Sequence, residues 1–550
     1  MFRTLLSLTV MISSFLLYII LHNINKNTID FSSVYCYYDK AGNKYCTFSN
    51  VCFLSESGGQ FVFFLAEQST VFGLKSKEDL NNISFSSVDG HNGFNMKIVM
   101  SIGGDILKKS KFIKNSVFIM SRFKSDNTMH VIHDDIFPLF VTYNFMCAGN
   151  VESCTKTHRL AFLDNDIGIE SHAEWYDLFS SEPPLNLKAL KESVCFRKLH
   201  TGLSRESLWF QYGFKKVQGP ILESSLNGPV LRKFRNFILK GFNIVRSNYY
   251  RPNNAVFISR KLSRKILNEN YVIESISKSF DESNANIKNG FTVKVVDAMQ
   301  NKTKNILETI RNCKVLVGMH GSAMIFSLFL PEGAAILELF PFGIQPEHVS
   351  PIRALAKLPG TTFSYLSWIN VQESNSVDPN RSEALMGGLH HLNPQQQSAI
   401  KAVKLVPAVE CCHDPVYLYR MFQDTVVDNS FFQSLLQLKS QQENLFNFNN
   451  SSNSSLFLKD KWLFPGSVYD IKCDFLKHNK IIITWKKPLN FHSFTKHEYS
   501  ITIQILSRII SVKTFTTNVT IMENAAVGNI QVWIKCMFDN SESIDSFSVC

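Results

Sequence analysis

The chain has 550 residues, 45% of them apolar, with 57 lysines and arginines against 46 acidic residues and a formal net charge of +11. Such a length can bury several cores, about two to four domains. The positive surplus is spread thinly and forms no basic block, which excludes a nucleic-acid track but is compatible with acidic, phosphate-bearing ligands.

Thr4 to Leu21 carries no charge and follows Arg3; at about 1.5 Å per residue, a helix there just crosses a bilayer. No small-x-small cleavage site follows, because the next residues are His22, Asn23, Ile24 and Asn25. An uncleaved signal anchor is expected, with a cleaved signal peptide as the alternative, and either sends the remainder into the secretory pathway. Lys26 on the far flank weakens the positive-inside signal. The 12 cysteines agree with an oxidising compartment. None forms C-x-x-C, and adjacent Cys411 and Cys412 do not by spacing define a zinc site. Cys36, Cys46 and Cys52 cluster where a disulfide would pin the segment leaving the membrane. Sequons at Asn82, Asn301, Asn380, Asn449, Asn450, Asn453 and Asn518 suit a lumenal chain.

Met129 to Leu139 reads MHVIHDDIFPL. His133, Asp134 and Asp135 follow a short apolar stretch read as a strand and precede a helix-like run, so a strand-to-helix junction is expected. An acid beside a histidine serves as a general base or orients one; capping the helix is the plainer use of the same acids. Asp164-Asn165-Asp166 has the D-x-D form that holds a metal and a sugar nucleotide in one class of transferases, a three-letter pattern of little specificity.

From Ala255 the pattern alternates. Ala255 to Ile258 reads as a strand, Arg264 to Lys278 as an amphipathic helix, Phe291 to Val296 as a strand and Thr303 to Asn312 as a helix. Val315 to Val317, a short helix from Ser322 and a last strand reaching Phe340 complete the series. Repeated βαβ units require a parallel sheet with right-handed crossovers. Ligands of such sheets sit outside the strands' carboxyl ends, so Ser259-Arg260, Asp297, His320-Gly321 and Glu338 should share one rim. Arg260, Arg264 and His320 place positive or hydrogen-bonding groups there. Gly321 lets backbone approach a ligand, and the helix opening at Ser322 offers free N–H groups. The expected tenant is a nucleotide diphosphate; a plain turn with solvated arginines is the alternative. Neither G-x-G-x-x-G nor G-x-x-x-x-G-K-[ST] is present, so hydride transfer and NTP hydrolysis lose support.

Gln441 to Ser455, QQENLFNFNNSSNSS, is a polar tract read as a linker. Beyond it only strands are expected, at Lys480 to Trp485, Glu498 to Leu506, Lys513 to Ile521 and Asn529 to Phe538, which together indicate a β-sandwich. Trp485 is placed like the core tryptophan of a fibronectin type III module, although Ile530 or Gln531 stands where a corner tyrosine is expected.

The segments MHVIHDDIFPLF (129–140), GLSRESLWFQYGFKKVQGP (202–220), FISRKLSRKILNE (257–269), VGMHGSAM (317–324), the stretch 328–360 and CCHDPVYLYRMFQDTVVD (411–428) resemble family 61 glycosyltransferases. The resemblance implies an α/β fold of GT-B type, two Rossmann-like lobes followed by a fibronectin type III-like β-sandwich. The layout implied is a stub and signal anchor at 1–24, an acceptor-side lobe at 25–240, a nucleotide-sugar lobe at 241–440, a linker at 441–455 and the sandwich at 456–550. By segment match Ser259, Arg260, Arg264, Asn268, His320, Gly321 and Ser322 are the donor-binding candidates. His133 with Asp134, facing them from the other lobe, is the implied base, and Glu338 is the runner-up. Ser322 stands where the family commonly has alanine, a small change.

The activity implied is inverting transfer of N-acetylglucosamine from UDP-N-acetylglucosamine, in β-1,4 linkage, to O-linked mannose on a protein such as α-dystroglycan. No metal is expected, and Asp164-Asn165-Asp166 is not a motif of the family. The expected setting is the endoplasmic reticulum membrane, single-pass type II, with the catalytic part lumenal. A homodimer is an allowed assembly, and nucleic acid is not a partner. The alternatives are a non-catalytic lumenal glycopeptide-binding protein of transferase ancestry and a family 61 transferase acting on EGF domains or transferring xylose.

Overall fold

The structure, a computed structural model, describes residues 31–38, 44–55, 59–67, 69–74, 79, 83–88, 98–101, 111–147, 149–165, 172–205, 207–212, 218–221, 224, 226–244, 254–280, 291–407, 413–449, 468–476, 480–487, 498–505, 508–522, 530–538, 541–542 and 546–549. The expected signal anchor, Asp166, Cys411 with Cys412, the sequons at Asn82, Asn450 and Asn453, and the linker past Asn449 lie outside them. Among the described residues no helix is long and apolar enough to cross a membrane.

Two compact units divide the chain. The first is formed within residues 1–87, 92–123 and 142–203, the second within 88–91, 124–141 and 204–550. The first unit carries a mixed sheet, not the all-parallel sheet expected of a Rossmann-like lobe. Its middle strands, Lys44–Leu54 and Val194–Thr201, pair antiparallel, whereas Ser116–Met120 lies parallel both to Val194–Thr201 and to His158–Phe162. Disulfides Cys36–Cys46 and Cys52–Cys195 join residues directly opposite in antiparallel register. Cross-linking at those rungs fixes the strand order in the half of the sheet that no βαβ crossover defines.

The second unit contains the expected parallel sheet. Its strands stand in the order Thr292–Asp297, Asn254–Ser259, Val315–Met319, Ala335–Phe340 and Ser364–Ile369, all parallel. The three inner strands are buried along their whole length, which explains their unalternating apolar sequence. Ala255, Phe257, Val315, Val317, Leu337 and Leu339 meet Val272, Ile276, Phe431 and Leu435 of the covering helices Glu269–Phe280 and Ser430–Asn449. The latter helix runs into the tract read as a linker. Gln442 explains why: it is buried, and its side-chain amide donates to the carbonyls of Lys314 (3.1 Å) and Gly333 (2.9 Å).

Two further segments join this second unit, although the sequence-based boundary at 240 assigned them to the first lobe. The helix Gly228–Gly241 docks through Gly228 N–H to the Pro359 carbonyl at 2.7 Å, and its Phe234 packs on Phe137 and Phe329. These contacts carry 124–141 and 204–241 with the parallel sheet.

The carboxyl-terminal strands form two antiparallel sheets that share one core. Ile481, Ile483 and Trp485 of one sheet meet Tyr499, Ile501, Ile503, Val532 and Ile534 of the other, following the alternation of both sequences. The predicted strand Lys513 to Ile521 is instead two, Arg508–Thr514 and Asn518–Met522, lying in different sheets. In the bend between them Thr514 Oγ1 accepts from the Thr516 backbone N–H and also bonds the Thr516 hydroxyl, where the chain turns from one sheet to the other. Trp485 is buried with its ring edge-on to Tyr499, centroids 5.3 Å apart. Trp485→Ala should therefore destabilise the protein by about 3–5 kcal/mol. Denaturant unfolding monitored through proteolysis of the terminal strands measures it, and an unchanged midpoint contradicts the assigned core.

Candidate active site

With sequential strands arranged 2-1-3-4-5, the crossovers leave the first strand in opposite directions beside Ser259 and Met319, and the crevice opens between their carboxyl ends. Arg260 follows the first of these strands, and His320 and Gly321 follow the second. The sequence-predicted rim is thus the switch point of the sheet.

Two half-buried arginines occupy it. Arg260 donates from Nε to the Ser263 carbonyl at 3.0 Å. Arg264 donates from Nη1 to the His320 carbonyl at 2.9 Å and lies over the Phe422 ring, 5.0 Å from its centroid. Arg264 was expected to open a helix; it instead has φ +54°, a left-handed conformation unfavourable for a side chain, and the helix begins at Glu269. Its Nε is buried without an acceptor, and neither arginine has a carboxylate within ion-pair distance among the described residues. Burial pushes the Arg260 guanidinium well below its usual range, with Arg264 adding to the effect, and burial lowers Arg264 to about 10. Gly321 has φ +151°, and a β-carbon there would stand 2.5 Å from Arg260 Nη1 and 3.1 Å from Arg264 Nη1. Backbone and both cations meet at one point, an arrangement complementary to an anion.

Behind Gly321 lies a saturated carboxylate. Glu338, fully buried, accepts from His320 Nδ1 at 2.7 Å, Ser350 Oγ at 2.5 Å and Tyr365 OH at 2.7 Å. Fully buried and with three donors on its two oxygens, Glu338 is placed to orient His320 rather than to meet a substrate as the runner-up base. The His320 ring stacks on Phe340, centroids 4.9 Å apart. Burial lowers the His320 pKa, Glu338 opposes that, and Arg264 and Arg260 reinforce it.

His133, Asp134 and Asp135 sit within a helix, not after a strand. Asn127 caps it through Met129 N–H, and Val131–Ile136 forms a wide π turn. The extra residue in that turn directs all three polar side chains inward among apolar neighbours, where a regular helix would send one outward. Asp134 accepts from His133 Nδ1 through one oxygen and from His130 Nδ1, at 2.6 Å, through the other. Burial alone would raise the Asp134 carboxyl, but the charges and hydrogen bonds of His133 and His130 outweigh it and hold it at about 2. With Nδ1 of His133 turned to Asp134, its Nε2 carries a lone pair, buried and without a donor. Tyr212 OH lies 3.1 Å from His133 Nδ1, and the Trp209 ring stands edge-on at 4.2 Å.

The sequence placed this pair across from the donor candidates on another lobe. It belongs to the same unit as the parallel sheet: the turn Thr128–His130 packs on the helix Ser322–Phe329. Trp209 also donates from Nε1 to the Pro351 carbonyl at 2.9 Å, next to Ser350, which holds Glu338. Other candidates are engaged elsewhere. Asn268 exchanges two hydrogen bonds with the Val427 backbone, and Ser259 Oγ donates to Glu269, so both tie the loop 260–268 to its surroundings. Ser322 opens the short helix after Gly321. Asp164 forms a bidentate pair with Arg122, which leaves it no free oxygen to offer a metal. Among the described residues, the one group of side chains spaced for a metal is Cys147, Cys154 and His158, and its two sulfurs are joined in a disulfide. His130, Trp209, Tyr212, Ser350, Tyr365 and Phe422 were not singled out, since each acts by contacts between distant segments.

An α/β sheet with two arginines meeting a glycine turn at its switch point has the chemistry to suit a phosphate-bearing ligand. A model of the family Glycosyltransferase 61 matches residues 86–337. Proteins called protein O-linked-mannose beta-1,4-N-acetylglucosaminyltransferase 2 are similar over nearly the whole chain. That of Xenopus tropicalis is 32% identical over 523 residues, covering 91% of this chain and 85% of its own; that of Danio rerio is 30% identical over 517 residues with the same coverage. The human protein is 28% identical, covering 90% and 84%. The chain belongs to glycosyltransferase family 61, and it is a glycosyltransferase.

The Asp134 shift has a pH consequence. Because folding lowers this carboxyl from 3.8 to about 2, its ionisation stabilises the fold fully above the unfolded value, and that contribution disappears as pH falls through about 2. Asp134→Asn should flatten the fall in melting temperature between about pH 4 and 2. Equal acid sensitivity of both proteins would show that the His130–Asp134–His133 pairing is not formed.

Proposed function

We propose that this glycosyltransferase moves N-acetylglucosamine from UDP-N-acetylglucosamine to O-linked mannose on a protein such as α-dystroglycan, in β-1,4 linkage and with inversion. The observation that carries the donor class is the half-buried pair Arg260 and Arg264, closed around Gly321 and paired with no carboxylate among the described residues. The names of the Xenopus, zebrafish and human relatives supply the sugar, the acceptor and the linkage. The terminal double sheet serves as a fibronectin type III module that holds the acceptor peptide. Three disulfides among the described residues support an oxidising, lumenal setting, with the amino-terminal anchor in the endoplasmic reticulum membrane.

In the reaction the mannose C4 oxygen forms a bond to the anomeric carbon as the bond from that carbon to the β-phosphate oxygen breaks. The electron pair leaves with UDP, and the hydroxyl proton passes to His133 Nε2, whose tautomer Asp134 fixes. Charge developing on the departing diphosphate is stabilised by Arg260, Arg264 and the backbone at Gly321–Ser322. No step uses a metal.

The purified protein, incubated with UDP-N-acetylglucosamine and a mannosylated peptide in excess EDTA, should yield a peptide heavier by one N-acetylhexosamine, linked β-1,4. Transfer abolished by chelation and restored by manganese contradicts the metal-free mechanism, and another sugar or linkage contradicts the substrate assignment. Arg260→Ala should weaken UDP binding by roughly 1.5–3 kcal/mol without unfolding the protein. Unchanged UDP affinity in a calorimetric titration refutes the role given to this arginine.

A further inference from the structure

We propose that His320 takes up a proton when the donor diphosphate enters, so that its Nε2–H joins Arg260 and Arg264 in holding the leaving group. This rests on the donor-site reading above and adds a group to it.

The geometry fixes the ring. Nδ1 is held by Glu338, whose carboxylate is in turn held by Ser350 and Tyr365, and Phe340 stacks against the ring face. His320 therefore cannot present Nδ1 to a ligand, and Nε2 is the atom left to do so. His320 immediately precedes Gly321, against whose backbone the two guanidiniums close, and Arg264 Nη1 bonds the carbonyl of His320 itself.

The charges set the protonation. The groups facing His320 are Glu338 on the neighbouring strand, Arg260 and Arg264 on the loop after the first strand, and the neutral Ser350 and Tyr365 behind the carboxylate. With the cradle empty, burial and two uncompensated cations disfavour an imidazolium, and the pKa lies below its ordinary value. A nucleotide-sugar diphosphate brings more negative charge than the net positive charge of Arg260, Arg264 and Glu338 together. That reverses the local field, and the Glu338 hydrogen bond then favours the charged ring. When the bond from the anomeric carbon to the β-phosphate oxygen breaks, that oxygen keeps the electron pair. His320 retains its proton and donates a hydrogen bond to the diphosphate, while the acceptor proton still goes to the base.

The experiment is a calorimetric titration of UDP-N-acetylglucosamine into the whole protein, in buffers of different ionisation heat. The diester diphosphate of that probe does not itself titrate near neutrality, so proton uptake belongs to the protein. At pH about 7 the expected uptake is roughly 0.5–1 proton per sugar nucleotide, with affinity rising as pH falls. His320→Gln should still bind, with uptake near zero and a flat pH profile, its affinity diverging from the wild type toward low pH. Glu338→Gln, which keeps the shape but removes the charge, should lower the uptake. Binding by the wild type without proton uptake overturns the proposal, and so does uptake that persists in His320→Gln. Absence of binding by the wild type is the separate outcome that removes the donor-site reading, and this proposal falls with it. If His320→Gln does not fold, the wild-type proton count and Glu338→Gln still decide.

Discussion

Half-burying two arginines side by side, with no carboxylate paired to either among the described residues, is the constraint on which the rest of the site depends. Removing such charges from water is costly, and ordinary folds neutralise them with an acid. Here Arg264 is held in a left-handed backbone conformation by the His320 carbonyl and the Phe422 ring, and its Nε has no acceptor. The fold tolerates this because 424–427 clamps the loop from outside: Lys265 N–H donates to Asp424, and Asn268 and Val427 tie reciprocally. Stability supplied by that clamp keeps an anion-hungry point in place.

The carboxylate that would have quenched the pair is one strand away and occupied. Glu338 stands beside Gly318 in register, on the same face of its strand as Phe340, and three donors saturate it. Gly318 has no room for a side chain, because a β-carbon would lie 2.8 Å from Met324 Sδ and 3.1 Å from the Ile258 side chain. The close approach of strand and helix there draws the His320–Gly321 turn down onto the sheet. Packing at an apolar position thus sets the height at which the polar turn meets the arginines.

The parallel sheet was legible because its signals are local. Each inner strand is an unbroken apolar run, each is followed by a polar turn, and the βαβ rule converts chain order into a shared rim. The HDD segment was misread for the converse reason. In VIHDDIFPL the apolar residues fall on all sides, so neither a period of two nor of 3.6 stands out, and a π turn in a buried helix leaves no local mark. Its placement with the parallel sheet depends on Phe137 meeting Phe234, from a helix about a hundred residues later, and no spacing rule encodes that contact. The partners of Glu338 were invisible likewise: Ser350 caps a helix through the Arg353 N–H, an ordinary use of serine, and only the fold brings its hydroxyl to the carboxylate.

His133 and His320 are two buried histidines, each with Nδ1 on a carboxylate, and the proposed mechanism gives them opposite tasks. Around His133 the neighbours are Asp134, Tyr212, Trp209 and a second histidine on the same acid, so its Nδ1 is committed to a carboxylate and its Nε2 faces apolar surroundings. Around His320 the nearest charges beyond Glu338 are Arg260 and Arg264, so a proton is unwelcome until an anion arrives. The same imidazole–carboxylate unit thus stands in two settings, and at His320 the loop that the fold lays beside the ring adds two positive charges to it.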